Sequence, residues 1–144
     1  MQWKGSIKKG LVYNNPISSM DIMATICDLA NIKTKNKLDG VNLIPFLKNE
    51  KNTVPHDRLF WRKWEQNAMA IRKGNLKLVS NRQMQTNLPK LYNLSDDISE
   101  IKDIKGTNNL DVDELLNDWK DWNMTNKDRY FPTLRNDKWW DRNK

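Results

Sequence analysis

The sequence has 144 residues, of which 38% are hydrophobic and 30% are charged, so it suits one domain or part of a larger one. One cysteine and one histidine exclude an intrachain disulfide, and they exclude a zinc site built from Cys and His ligands of a single chain. The formal net charge is +7, but the lysines are scattered among acids and no apolar run could span a bilayer, so we expect neither a nucleic-acid partner nor a membrane.

The first strong periodic signal predicts a helix over residues 19–30. Ser18 or Ser19 can cap its start, and Asp21 in the first turn suits the helix dipole. An apolar stripe at helical spacing follows, made of Ile22, Met23, Ile26, Leu29 and Ala30. Cys27 lies beside this stripe. We interpret it as a small core residue, because no group nearby in the sequence would activate a thiolate.

Residues 58–94 predict a small antiparallel sheet. A turn at 38–41 and a short apolar patch at 43–47 precede it, and Pro45 interrupts that patch. The strand signals are the aromatic run 59–64, the alternating run 68–72, its return at 76–79 after a Lys-Gly-Asn turn, and the short run 90–94.

A second helix is predicted after the sheet. Asp111 and Glu114 have the spacing of a capping box. The apolar face that follows is made of Val112, Leu115, Leu116 and Trp119, and Trp122 extends it. The tail over residues 124–144 is polar and rich in tryptophan, which is typical either of an anchor on its own domain or of a surface that stacks on sugars or bases.

The residues alone give no candidate active site. The sequence contains neither a G-x-S-x-G elbow nor a glycine-rich phosphate loop. Its acids cluster at turns and helix starts, and the acidic turn at 96–100 lacks the spacing of a calcium-binding loop. We therefore assign no catalytic residue and no metal ligand. A part of a larger protein and a binding module both fit this pattern.

Five segments occur in a characteristic order. They are residues 16–31, with a serine and aspartate start; residues 38–47, Leu-Asp-Gly-Val-Asn-Leu-Ile-Pro-Phe-Leu; residues 58–61, Arg-Leu-Phe-Trp; residues 70–78, Ala-Ile-Arg-Lys-Gly-Asn-Leu-Lys-Leu; and residues 91–100, which begin Leu-Tyr-Asn-Leu. As a set they resemble the C-terminal portion of type I (formylglycine-dependent) sulfatases, over roughly residues 1–122. The sequence departs from the family at Ala24, Asn31 and Asn93, where the family favours Pro, Gly and Asp.

The resemblance implies an α/β fold like that of alkaline phosphatase. This chain would be an α+β fragment of it, with the last helix and edge of the large sheet followed by a small antiparallel sheet packed with a C-terminal helix. Residues 1–50 would end the catalytic domain, residues 51–123 would form the small subdomain, and residues 124–144 would be the tail.

The resemblance also implies a function for the full-length parent. Sulfatases of this family hydrolyse sulfate esters with a formylglycine and a calcium ion, so the parent would take a sulfated small molecule or glycan and would be periplasmic or extracellular. The motifs that supply these groups have no counterpart here, so this chain alone is expected to be inactive and to need the missing N-terminal catalytic domain. C-terminal residues of the family reach the substrate pocket, and the candidates here are His56, Arg62 and Trp64.

Two other readings remain open. A phosphoesterase or phosphotransferase with the same fold would differ only in its upstream nucleophile. A free-standing basic module would bind a polyanion through lysines and tryptophans, and its binding would depend steeply on salt.

Overall fold

The computed structural model describes residues 2–63, 68–80, 88–107 and 109–127. Two compact units are present, Met1–Asp57 and Arg58–Lys144. The predicted domain boundary after residue 50 stays a prediction. Most of the predicted tail, from residue 128 onward, lies outside the described residues.

The first unit contains helix α1, Met20–Leu29, and the short helix α2, Ile44–Leu47. The predicted helix over 19–30 is therefore confirmed. Asn31 follows α1 with a φ of 54°, a left-handed conformation that asparagine tolerates and that explains how it replaces glycine here. Pro45 lies in the first turn of α2, where its missing N–H has no helical partner to lose, so the apolar patch forms a helix despite its proline.

The second unit contains the predicted antiparallel sheet, which is confirmed. Its strands are β1 Arg58–Lys63, β2 Ala68–Lys73, β3 Leu76–Ser80 and β4 Lys90–Asn93. They are paired in chain order, each antiparallel to the next. Gly74 turns β2 into β3 with a φ of 55°.

Helix α3, Asn109–Thr125, packs on one face of this sheet. Strand alternation puts Ile71, Leu78 and Leu91 on the same face in neighbouring strands, and all three are fully buried. Val112 and Leu115 of α3 complete this core, and Phe60 stacks on Trp122 at its border with ring centroids 5.0 Å apart.

The predicted capping box at the start of α3 is wrong. The helix already begins at Asn109, so Asp111 lies inside its first turn, where the helix dipole still favours a carboxylate. Glu114 instead forms ion pairs with Arg58 of β1 and Lys73 of β2. Among the described residues no helix has the length and apolar character needed to cross a membrane.

Candidate functional site

His56 belongs to the first unit, where it is bonded to a buried carboxylate. Its Nε2 atom lies 2.8 and 2.9 Å from the two carboxylate oxygens of Asp21. The side chain of Asp21 is fully buried and that of His56 is 11% exposed. The predicted candidate therefore lies in a structured pair rather than in a solvated loop.

Two backbone amides complete the surroundings of the Asp21 carboxylate. The amide of Ser18 donates to Oδ2 at 2.7 Å and the amide of Val41 donates to Oδ1 at 2.9 Å. Burial raises the pKa of Asp21, but the bonds from the two amides and the imidazole together outweigh burial and hold that pKa below its ordinary value of 3.8. The carboxylate thus stays ionised and fixes the orientation of the imidazole ring.

Asp21 belongs to a polar stripe along α1 that begins at a buried position. The stripe also contains Thr25 and Asp28, at the i, i+4 and i+7 positions of one helix face. Its contacts are Asp21 with the amide of Val41 at 2.9 Å, Thr25 with the amide of Leu43 at 3.0 Å, and Asp28 with the side-chain amide of Asn42 at 2.5 Å. The helix therefore binds an extended segment of its own unit through polar groups.

The apolar stripe of α1 points away from these contacts. Its large side chains are about half exposed: Ile22 52%, Met23 59%, Ile26 54% and Leu29 47%. Sequence periodicity indicated the apolar face of this helix, and we interpreted Asp21 only as a residue suited to the helix dipole. The signal that was available is the polar period of Asp21, Thr25 and Asp28.

Arg62 belongs to the second unit and holds the end of α3. Its guanidinium donates to Oδ1 of Asn123 at 2.7 Å and to the carbonyl oxygen of Lys127 at 2.9 Å. A cation at this position satisfies carbonyl oxygens and the dipole at a helix C-terminus.

The third candidate, Trp64, lies outside the described residues. The structure places His56 in one unit and Arg62 in the other. A substrate-binding role for these three residues stays a prediction.

The described residues supply no metal centre next to His56. Cys27 is buried in the first unit, as predicted for a small core residue. The described part of the chain also contains no group of three His, Cys, Asp or Glu side chains placed to hold a metal ion. The arrangement orients an imidazole ring through the Asp21 carboxylate.

Comparison with known proteins identifies related chains. The family model of N-sulphoglucosamine sulphohydrolase, C-terminal, matches residues 1–125. The uncharacterized sulfatase YdeN of Escherichia coli (strain K12) is 43% identical over 63 residues, which cover 42% of this chain and 11% of that protein.

Two solved structures extend the likeness to the fold. Ps i-CgsB in complex with k-i-k-neocarrahexaose matches 83% of this chain with a TM-score of 0.68 and 25% identity. BT4656 in complex with its substrate D-glucosamine-2-N,6-O-disulfate matches 71% of this chain with a TM-score of 0.54 and 20% identity. This chain covers 27% of the first and 23% of the second, so it spans about a quarter of their length.

Proposed function

Because the chain belongs to the N-sulphoglucosamine sulphohydrolase C-terminal family of sulfatase domains, we propose that it completes a sulfatase whose nucleophile and metal ligands lie on a separate, upstream part. The parent reaction is the hydrolysis of a sulfate ester. In such a sulfatase, a formylglycine would supply the nucleophile and a calcium ion would supply positive charge for the sulfate oxygens. The described residues do not fit either group, so we assign both to the upstream part.

The outward apolar stripe of α1 is the observation that carries this proposal. The polar side chains of the same helix already accept hydrogen bonds from backbone amides of the first unit. Ile22, Met23 and Ile26 lie on another face and are each more than half exposed. Covering the exposed halves of the four large side chains would stabilise an assembly by roughly 4 kcal/mol. An upstream domain of the size found in the solved relatives is the occupant that fits.

The substrate of the parent is proposed to be a sulfated glycan. This rests on the family and on the ligands of two solved relatives, a neocarrahexaose and a glucosamine disulfate. His56, Arg62 and Trp64 remain the proposed contributors to substrate choice. His56 is the most testable, because Asp21 fixes the orientation of its ring.

Reading the gene upstream of the Met1 codon is the first test. We expect an open frame of several hundred codons that contains C/S-x-P-S/A-R, the formylglycine motif. A different motif around the upstream nucleophile would instead favour a phosphoesterase or phosphotransferase of the same fold. A stop codon and a ribosome-binding site directly before Met1 would leave the basic binding module as the surviving function.

Assembly of the two parts is the second test. Co-expression of the upstream part with the 144-residue chain should yield a complex that hydrolyses a sulfated sugar. The variant I22E/I26E should lose co-purification and activity, because it places two charges on the proposed interface. The matched variant I98E/I101E changes two exposed isoleucines of the second unit, 77% and 83% exposed, and should assemble normally. Equal assembly of both variants would contradict the assigned surface.

A further inference from the structure

The first unit contains a cavity of about 780 Å³ that no part of the proposed reaction uses. It lies between the N-terminal segment, residues 2–17, and helix α2. Leu43 and Leu47 line it from the α2 side, and Leu43 is almost completely buried. Its volume lies within the range of about 300–1,000 Å³ typical of small-ligand pockets.

Two tight turns bring three lysines to this cavity. The amides of Ser6 and Ile7 both donate to the carbonyl oxygen of Trp3, and the amide of Leu11 donates to that of Lys8. Gly5 and Gly10 take left-handed φ values of 83° and 72° within these turns. The lysines that line the cavity are Lys4, Lys8 and Lys9, and all three are exposed.

Aromatic rings form another part of the lining. Trp3 is 41% exposed, and the ammonium of Lys48 lies 6.0 Å from its ring centroid. Tyr13 also lines the cavity, and its hydroxyl accepts a hydrogen bond from Asn15 at 3.3 Å. An indole and a phenol ring present faces on which the C–H groups of a sugar ring can pack.

The charged side chains that line the cavity are all positive. Three lysines line the cavity, and no aspartate or glutamate occurs among the described residues that line it. The whole chain, by contrast, has 18 acidic residues against 25 basic ones. The cavity is therefore a local concentration of positive charge beside aromatic and aliphatic walls.

We propose that this cavity binds one sulfated sugar unit without hydrolysing it. The rings and leucines would pack on the sugar, and the lysine ammonium groups would neutralise its sulfates as point charges. The class of ligand rests on the proposed function, whereas the site rests on the cavity alone. The cavity would hold a neighbouring unit of a glycan rather than the unit that reacts.

Isothermal titration of the full 144-residue chain tests the site. The probes are D-glucosamine-2-N,6-O-disulfate, neutral N-acetylglucosamine and potassium sulfate. The disulfate should bind with a Kd of roughly 1 mM or below and bind several-fold more weakly at high salt, because ion pairs at exposed lysines are screened. Absence of disulfate binding, or equal binding of potassium sulfate at matched ionic strength, would overturn the proposal.

Paired lysine variants locate the binding. K8Q/K9Q should weaken disulfate binding by about 3- to 10-fold, since each exposed ion pair contributes little. K33Q/K35Q removes the same charge from exposed lysines outside the cavity and should bind like the wild type. W3A should also weaken binding while leaving the far-UV circular dichroism spectrum unchanged. If both double variants lose disulfate affinity equally, net charge alone explains the effect and the proposal is wrong.

The assembled enzyme separates this proposal from the proposed function. A complex that hydrolyses sulfated sugars and also retains disulfate binding sensitive to K8Q/K9Q supports both. If assembly with the upstream part abolishes that binding while hydrolysis proceeds, the cavity is an internal interface and only this proposal fails. If the isolated chain binds the disulfate but no sulfatase frame exists upstream, only the proposed function fails.

Discussion

Asp21 is the residue whose side chain joins three segments of the first unit. It contacts the turn before α1 through Ser18, the segment after Gly40 through Val41, and the loop before β1 through His56. Replacing it with asparagine removes the charge from a buried pair and leaves donors without an ionic acceptor. We expect D21N to lower the free energy of unfolding of the first unit by about 3 kcal/mol.

Amide hydrogen exchange at Val41 measures this effect directly, because that amide donates to Asp21. Protection should fall sharply in D21N and only slightly in D28N, which changes an exposed carboxylate of the same helix. The pKa of Asp21 is lower in the folded chain than its ordinary value of 3.8, so its contribution is complete above that pH and is lost as the pH falls through the lowered pKa. Acid-dependent loss of Val41 protection that is unchanged in D21N would refute this assignment.

Gly40 is a second residue whose environment allows a sharp test. A Cβ atom at this position would lie 2.2 Å from the carbonyl oxygen of Met20 and 2.4 Å from its carbon. Because both are helix backbone atoms, the contact can be relieved only by moving α1 or the turn. We expect G40A to destabilise the first unit by about 3 kcal/mol.

Gly106 provides the matched control for this substitution. A Cβ atom there would have no neighbour within 4 Å, and its φ is not in the left-handed region. G106A should therefore change thermal stability by less than about 0.5 kcal/mol. Similar melting curves for G40A and G106A would mean that the turn is free to move away from α1.

At the scale of elements, helix α3 should be held by its apolar face rather than by its ion pairs. Leu115 is 1% exposed in the core, whereas the side chain of Glu114 is 45% exposed beside Arg58 and Lys73. We expect L115A to cost about 3 kcal/mol of unfolding free energy through the cavity it leaves. E114A should cost less than about 1 kcal/mol, because solvent screens its partners.

Tryptophan fluorescence during urea unfolding reports on this comparison. Trp3 is the only tryptophan of the first unit, so most of the signal comes from the second. The two variants differ at adjacent positions of one helix and remove side chains of comparable size. If E114A loses more unfolding free energy than L115A, ion pairs rather than apolar packing hold α3 on the sheet.

The elements could be predicted from sequence where a local pattern decides them. Strand formers and a Gly-containing turn defined the β2–β3 hairpin, and an apolar period defined α1 and α3. The apolar period of α1 did not indicate which face of the helix is buried in the first unit. That choice depends on Val41 and Leu43, whose amides reach Asp21 and Thr25 from about 20 residues away along the chain.

The candidate site was predicted less completely than the fold. His56 was selected for its place before the first strand, but nothing local to its sequence indicated Asp21 as its partner, 35 positions earlier. The start of α3 was misplaced for a similar reason, since Glu114 finds cations on β1 and β2 instead of capping its own helix. Partners distant in sequence decided both cases.

At the scale of the whole molecule, the isolated chain should expose the apolar stripe of α1 to solvent. The exposed stripe of α1 is contiguous along one helix face, whereas the exposed Ile98 and Ile101 lie outside helices and strands. We expect the wild-type chain to bind the neutral dye Nile red and to self-associate at micromolar concentration. Neutrality of the dye matters, because a sulfonated dye could occupy the lysine-lined cavity.

The same paired variants decide whether α1 causes this behaviour. I22E/I26E should remove most of the dye fluorescence and give a monomer by analytical ultracentrifugation, since two carboxylates interrupt the stripe. I98E/I101E adds the same charge at more exposed isoleucines and should keep both the dye signal and the association. Because the polar stripe of α1 stays intact in I22E/I26E, protection of the Val41 amide should persist and separate loss of the surface from loss of the fold. A dye-free wild-type monomer with a single sharp melt would contradict the view that this chain is built to be completed by another domain.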